Sequence, residues 1–151
     1  MANTTFQGVV RSYGGGDKGS VTPGVVTQSV TISFDPTATG ATAVKIGTSS
    51  SAGENFVLPA GAVPVSLLSL GGAAGGTSPT VDIGSSADPD GFFNEVDCDT
   101  KGVLKGADGA LVDGDGVASA TTVTGNVGAS AATSGTFTGV FTYVMYNNGV
   151  E

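Results

Sequence analysis

Two segments of this chain alternate apolar and hydroxyl side chains with a period of two, and that alternation limits the fold more than any other feature. In the first, Val26, Val30, Ile32 and Phe34 fall on one face, with Thr27, Ser29, Thr31 and Ser33 on the other. In the second, Phe137, Phe141, Tyr143 and Met145 share a face opposite Thr136, Thr138, Val140, Thr142 and Val144. Successive side chains point to opposite faces in an extended strand, so both segments read as half-buried β-strands. No window carries a helical stripe. Twenty of the 151 residues are valine, which is stiff at χ1 and suits a pleated surface.

Shorter strands fill the interval between these two. Asp35-Pro36 stops the first strand, and Val44-Lys45-Ile46 begins a second. Asn55 to Leu58 reads as a third, closed by Pro59-Ala60-Gly61. Val63 to Leu70 follows, and Gly71-Gly72 with Gly75-Gly76 predicts a loose turn into Thr80 to Ile83. Phe92 to Val96 is a further strand, and Gly109 to Val112 a weak one. Val117 to Val127 and Thr136 to Tyr146 form the clearest pair, joined by the small residues from Gly128 to Gly135. Seven to nine short strands with turn signals every ~8–12 residues predict an all-β fold, an antiparallel β-sandwich of jelly-roll-like character. Strand order does not follow from this patterning.

The first thirteen residues mix Thr, Asn, Gln and Val with Phe6 and Tyr13, then meet Gly14-Gly15-Gly16, a flexible joint. Two readings stand: an N-terminal arm that packs away from the body, or an edge strand of the same domain. The expected organisation is residues 1–16 as arm and glycine hinge, and residues 17–151 as a single β-sandwich domain.

Composition narrows the chemistry. The chain has no histidine, no tryptophan and one cysteine, Cys98. Ser-His-Asp and Cys-His machinery needs an imidazole, a Cys/His zinc site needs more than one thiol, and an intrachain disulfide needs two. The expectation is a non-enzyme without a cofactor. Met1 to Val10 has neither a basic start nor an apolar run, so no secretory signal is expected. The stretch around Val63 to Leu70 is too short to span a bilayer, and no membrane partner is expected.

Charge is uneven. Residues 82–115 hold nine acidic side chains against Lys101 and Lys105, a net −7 of the chain's −8. With no basic patch to follow a phosphate backbone, nucleic acid is not an expected partner. The Thr- and Ser-rich outer strand faces carry so little charge that they invite association.

The acidic segment resembles a calcium loop in part. Asp97 to Asp108 places Asp at positions 1, 3 and 12, Gly102 at 6 and Leu104 at 8 of a twelve-residue frame. Lys101 and Lys105 occupy ligand positions, however, and two ammonium groups oppose a cation. Asp88, Asp90, Asp97 and Asp99 remain candidates for a calcium site of another kind, against the simpler reading of Asp-Pro and Asp-Gly turns. Close carboxylate pairs are inevitable at this acidic density, so they are weak support for a glycosidase. Gly14 to Ser20 matches the phosphate-loop spacing only loosely, because Gly19 stands where the lysine belongs. Cys98, between two aspartates, should have a raised thiol pKa and the inertness of a buried structural thiol.

One order of motifs is familiar. Leu58-Pro59-Ala60-Gly61-Ala62-Val63-Pro64-Val65 is followed by Gly76-Thr77-Ser78-Pro79-Thr80-Val81-Asp82-Ile83-Gly84, then by Asp88-Pro89-Asp90-Gly91-Phe92, Gly109 to Val112, Thr121 to Thr124 and the last strand. With Met1 to Phe6, Gly8 and Arg11-Ser12, this resembles small virion structural proteins of tailed bacteriophages, of the marine or cyanobacterial type, that decorate or cement capsids. The resemblance covers residues 1–12 and roughly 58–146. It implies a β-rich subunit, a homotrimer bound to the major capsid protein on the outside of an icosahedral head, made in the host cytoplasm. Phe6, Val9, Val10, Arg11 and Tyr13 are the candidate capsid contacts, with Arg11 able to fork onto a carboxylate. The alternatives are a head-fibre or appendage module that binds host-surface glycans, a subunit of a bacterial surface layer or filament, and, last, a carboxylate hydrolase.

Overall fold

The computed structural model of the protein describes residues 24–37, 40–112 and 116–147. Among these residues there are eleven strands and no helix: β1 (Gly24–Phe34), β2 (Thr42–Ala43), β3 (Lys45–Ile46), β4 (Val57–Leu58), β5 (Ala62–Ala74), β6 (Thr80–Gly84), β7 (Phe93–Asp97), β8 (Leu104–Gly106), β9 (Thr121–Thr122), β10 (Thr124–Val127) and β11 (Ser134–Asn147). No described helix is long and apolar enough to cross a membrane.

The strands form a five-stranded sheet in the order β3-β1-β11-β5-β8, a four-stranded sheet β2-β10-β6-β7, and the pair β4-β9. Every pairing is antiparallel. Setting aside the short β3, β4 and β9 leaves eight strands. Numbered along the chain, they run 1-8-3-6 in one sheet and 2-7-4-5 in the other. That interleaving is the two-sheet jelly roll, so the expected all-β sandwich is the fold.

The alternating faces supply the core. Ile32 and Phe34 of β1 and Phe137, Phe141 and Tyr143 of β11 are buried, together with Leu67, Val81, Ile83, Phe93 and Val96. Antiparallel register brings the aromatic face together, with Phe34 opposite Phe137 and Val30 opposite Phe141. Where the two sheets meet, three backbone bonds close a ring. Val44 N–H donates to Val123 O (3.0 Å), Val123 N–H to Phe56 O (2.9 Å), and Phe56 N–H to Val44 O (2.8 Å). All three side chains are buried, and a buried backbone polar group needs such a partner. This ring explains why the expected strand at Val44 splits: β2 belongs to one sheet and β3 to the other.

Three further expectations are corrected. The segment Val117 to Val127 is not one strand, and it does not pair with the last. β10 and β11 lie in opposite sheets, and β11 pairs with β1 and β5. Gly71-Gly72 makes no turn, because β5 runs through both. Their φ values of 72° and 105° mark a register shift against β11, the unpaired-residue geometry that glycine tolerates. Gly109 to Val112 is a turn instead of a strand, with Leu111 N–H bonded to Gly91 O at 2.8 Å. A Cβ on Gly109 would sit 2.1 Å from the Gly91 carbonyl carbon, so glycine is there to let two loops touch.

Candidate interaction faces and the acidic loops

Three adjacent strands of the large sheet, β1, β11 and β5, contain no charged residue. Register sets their outward side chains in rows that continue onto β8. Thr31, Val140, Leu68 and Leu104 form one row, and Ser29, Thr142, Ser66 and Gly106 the next. Ser29 Oγ and Thr142 Oγ1 lie 2.9 Å apart, one donating to the other. Thr27 and Val144 extend the face. Val25, 59% exposed, and Leu104, 67% exposed, add apolar surface. The hydroxyl-rich outer faces read from the sequence thus come together as one neutral surface. The segment between β3 and β4 folds over its end, with Ser50 Oγ 3.2 Å from Thr136 Oγ1.

The opposite sheet and its loops carry the acid. β7 bulges against β6, because Val81 pairs with Val96 and Ile83 with Phe93, leaving Asp82 to face both Asn94 and Glu95. Glu95 has a φ of 52°. The two N–H groups freed by the bulge are taken by carboxylates. Glu95 N–H donates to Asp82 Oδ1 at 2.8 Å, and Asn94 N–H to Asp108 Oδ1 at 3.1 Å. Lys105 Nζ pairs with Asp108 Oδ2 at 2.6 Å. Burial pushes the Asp82 carboxyl above the ordinary range, the Glu95 N–H pulls it down, and the Asp90 and Glu95 charges raise it further. Burial also acts on Asp108, but its bonds from Lys105 and Asn94 outweigh it and hold the group below the ordinary range.

The four calcium candidates lie in or beside turns, and Asp97 and Asp99 bond within theirs. Asp97 Oδ1 accepts from Thr100 N–H at 2.8 Å and Asp99 N–H at 3.2 Å. Burial opposes its charge, yet these bonds keep its pKa low. Asp99 Oδ1 accepts from Thr100 Oγ1 at 2.9 Å. Asp88 has its carboxyl raised, first by a side-chain hydrogen bond with Asp90 and then by burial and the Asp90 charge. Its backbone closes the turn with Ser85, by bonds of 2.8 and 3.2 Å. Among the described residues no three His, Cys, Asp or Glu side chains converge on a metal-sized site. No helix flanks the twelve-residue frame from Asp97, and its strand β8 pairs with β5 of the large sheet, unlike a paired-helix calcium loop.

Cys98 is fully buried, its Sγ donating to Pro79 O at 3.1 Å. Burial first, then the Asp99 and Asp97 charges, push its thiol up to about 11. A cleft is lined by Ser85, Leu111, Val117 and Thr121 among others, and among the described residues no charged side chain stands in its wall. The arm candidates Phe6, Val9, Val10, Arg11 and Tyr13, and the hinge, lie outside the described residues. Two features were missed in the sequence: strand β8, and the charge-free block of three neighbouring strands. The second had a signal, since β1, β5 and β11 each lack Asp, Glu, Lys and Arg. Only the strand order reveals that they are neighbours.

No protein-family model and no curated protein matches the chain. A solved structure does: a chain of the Cyanophage Pam1 capsid asymmetric unit, at a TM-score of 0.52 and 23% identity. The likeness covers 95% of this chain and 98% of that one. At that identity it is a likeness of fold.

Proposed function

We propose that this chain is a non-enzymatic structural protein of a tailed-phage virion, bound to the outside of an icosahedral head as a decoration or cement subunit. The observation that carries the reading is the near-complete two-way coverage of a capsid asymmetric-unit chain by a compact jelly roll of similar length. Two chains that share a whole fold and little else share a scaffold, and function has to be argued from surfaces. Here the surfaces support binding. Three adjacent strands of one sheet carry no charge, and on the other side Asp82, Asp97, Asp99 and Asp108 bond within turns and a bulge. The motif order that resembles phage decoration proteins points the same way.

Cement acts by burying area across subunit seams, so it stabilises only the assembled shell. The partner is the major capsid protein, and the resemblance carries a homotrimer seated where capsid subunits meet. An arm at residues 1–13 that orders on docking would lose its entropy only when the partner is present. The decisive measurement is co-sedimentation with expanded heads of the virus that carries the gene, followed by heating of heads with and without the protein. Binding with a raised disruption temperature supports the reading. Heads that leave the protein in the supernatant sink it.

A further inference from the structure

We infer that the neutral outer face of β1, β11, β5 and β8 is a contact between copies of this chain, face against like face. The inference goes beyond the virion reading and does not depend on it. It rests on where the charge lies.

Two copies at net −8 each repel unless their acidic surfaces stay apart. Contact through β6 and β7 would bring Asp82, Glu95 and Asp97 against their own counterparts. Contact through the large sheets leaves the acidic sheets on the far sides. With sheets stacked ~10 Å apart, two sandwiches in contact hold those layers roughly 30 Å from each other. That exceeds the ~8 Å over which charge acts at physiological salt. Burying the outer face of β1, β11 and β5 also desolvates no ionised group of theirs, because these three strands have none, and Lys45 on β3 stands at the edge of the sheet. A second copy is the one partner whose matching neutral surface the structure itself supplies.

Area sets the strength. The span from Val25 to Thr31 along β1 and four strands across give roughly 400 Å² per copy, at ~3.3 Å per residue and ~4.8 Å per strand. A standard complex buries about 800 Å² per partner. The contact is therefore weak in dilute solution and forms where copies are concentrated, as on a shared surface. Like faces pair copies two at a time, whereas a closed trimer needs two different patches.

The experiment is sedimentation equilibrium of the full chain up to about 1 mM, a range that reaches weak complexes, at low and high salt. Thr142→Glu and Ser29→Lys are compared with the wild type after each is shown to keep its melting transition. The expected result is reversible dimerisation, nearly independent of salt, that either variant weakens roughly tenfold or more by burying an unpaired charge. Glu95→Gln, on the opposite sheet, leaves it unchanged. A wild type that stays monomeric overturns the inference. So does a dimer or closed trimer that both variants leave intact. Association that tightens with salt and with E95Q puts the contact on the acidic sheet and overturns it as well. Capsid binding is a separate readout, so failure of one reading is distinguishable from failure of the other.

Discussion

Phe141 of β11 meets Phe93 of β7 edge-on, ring centroids 5.2 Å apart and planes at 86°, and so joins the two sheets through one aromatic contact. The same ring meets Phe56 at 5.1 Å and Phe92 at 6.4 Å. Each geometry sets a positive ring edge against a negative face, which adds to the area buried. Phe141→Ala should therefore cost about 3–5 kcal/mol, the range for deleting a buried aromatic. Phe141→Leu, which fills part of the void, should cost less. Urea unfolding with an unchanged m-value is the measurement. A loss under about 1 kcal/mol for the alanine variant would show that the ring is not central to the core.

Gly125 of β10 lies beneath the ring of Phe34, and a Cβ there would come within 2.7 Å of three ring carbons. Phe34 is held in turn by Phe137, at a centroid distance of 5.6 Å. Gly125→Ala should thus destabilise by about 1–3 kcal/mol through overpacking. Gly106→Ala on β8, where a Cβ meets nothing within 4 Å, serves as the comparison and should be close to neutral. Equal melting temperatures for the two variants would contradict the packing.

The strands at Val26 to Phe34 and Thr136 to Tyr146 were legible because alternation is a local property, and each side chain's face follows from its neighbours in sequence. What stayed hidden was pairing. Nothing in the run from Val117 to Tyr146 says that its two strands enter opposite sheets, since that depends on β1 and β5 flanking β11. The split at Val44 and the passage of β5 through Gly71-Gly72 were hidden for the same reason: each answers to a distant partner, Val123 or Thr136. The candidate surface divides likewise. Its lack of charge was legible strand by strand, and its continuity was not. The turn role of Asp97 was within reach, because an Asp two or three residues before free N–H groups makes such turns routinely.

Cys98 should be inert while the chain is folded. Full burial keeps reagents out, and with the thiol pushed up to about 11 little thiolate exists near pH 8. Reaction with an aromatic disulfide reagent should track global unfolding and become fast in denaturant. A stoichiometric burst in native buffer would mean that the Pro79–Cys98 region opens on its own.

Asp82 and Asp108 hold the two ends of one bulge, yet they should shift stability with pH in opposite directions. Asp82 has a folded pKa above the ordinary value of 3.8, so the folded chain holds its proton more tightly than the unfolded one. Its effect on stability is therefore loss as pH rises from that value through the raised one. Asp82→Asn keeps an oxygen for the Glu95 N–H and removes the charge. It should match or exceed the wild type in stability at pH 7, with the advantage fading on acidification below both values. Asp108 has a folded pKa below 3.8, so its stabilisation is present above that value and disappears as pH falls through the lowered one. Asp108→Asn should be less stable at pH 7, by under about 1 kcal/mol because its bond to Lys105 lies at the surface. In acid the deficit should vanish. Thermal unfolding of the three proteins between pH 2 and 8 separates the two slopes, and parallel curves for the two variants would rule out the opposed roles of these carboxylates.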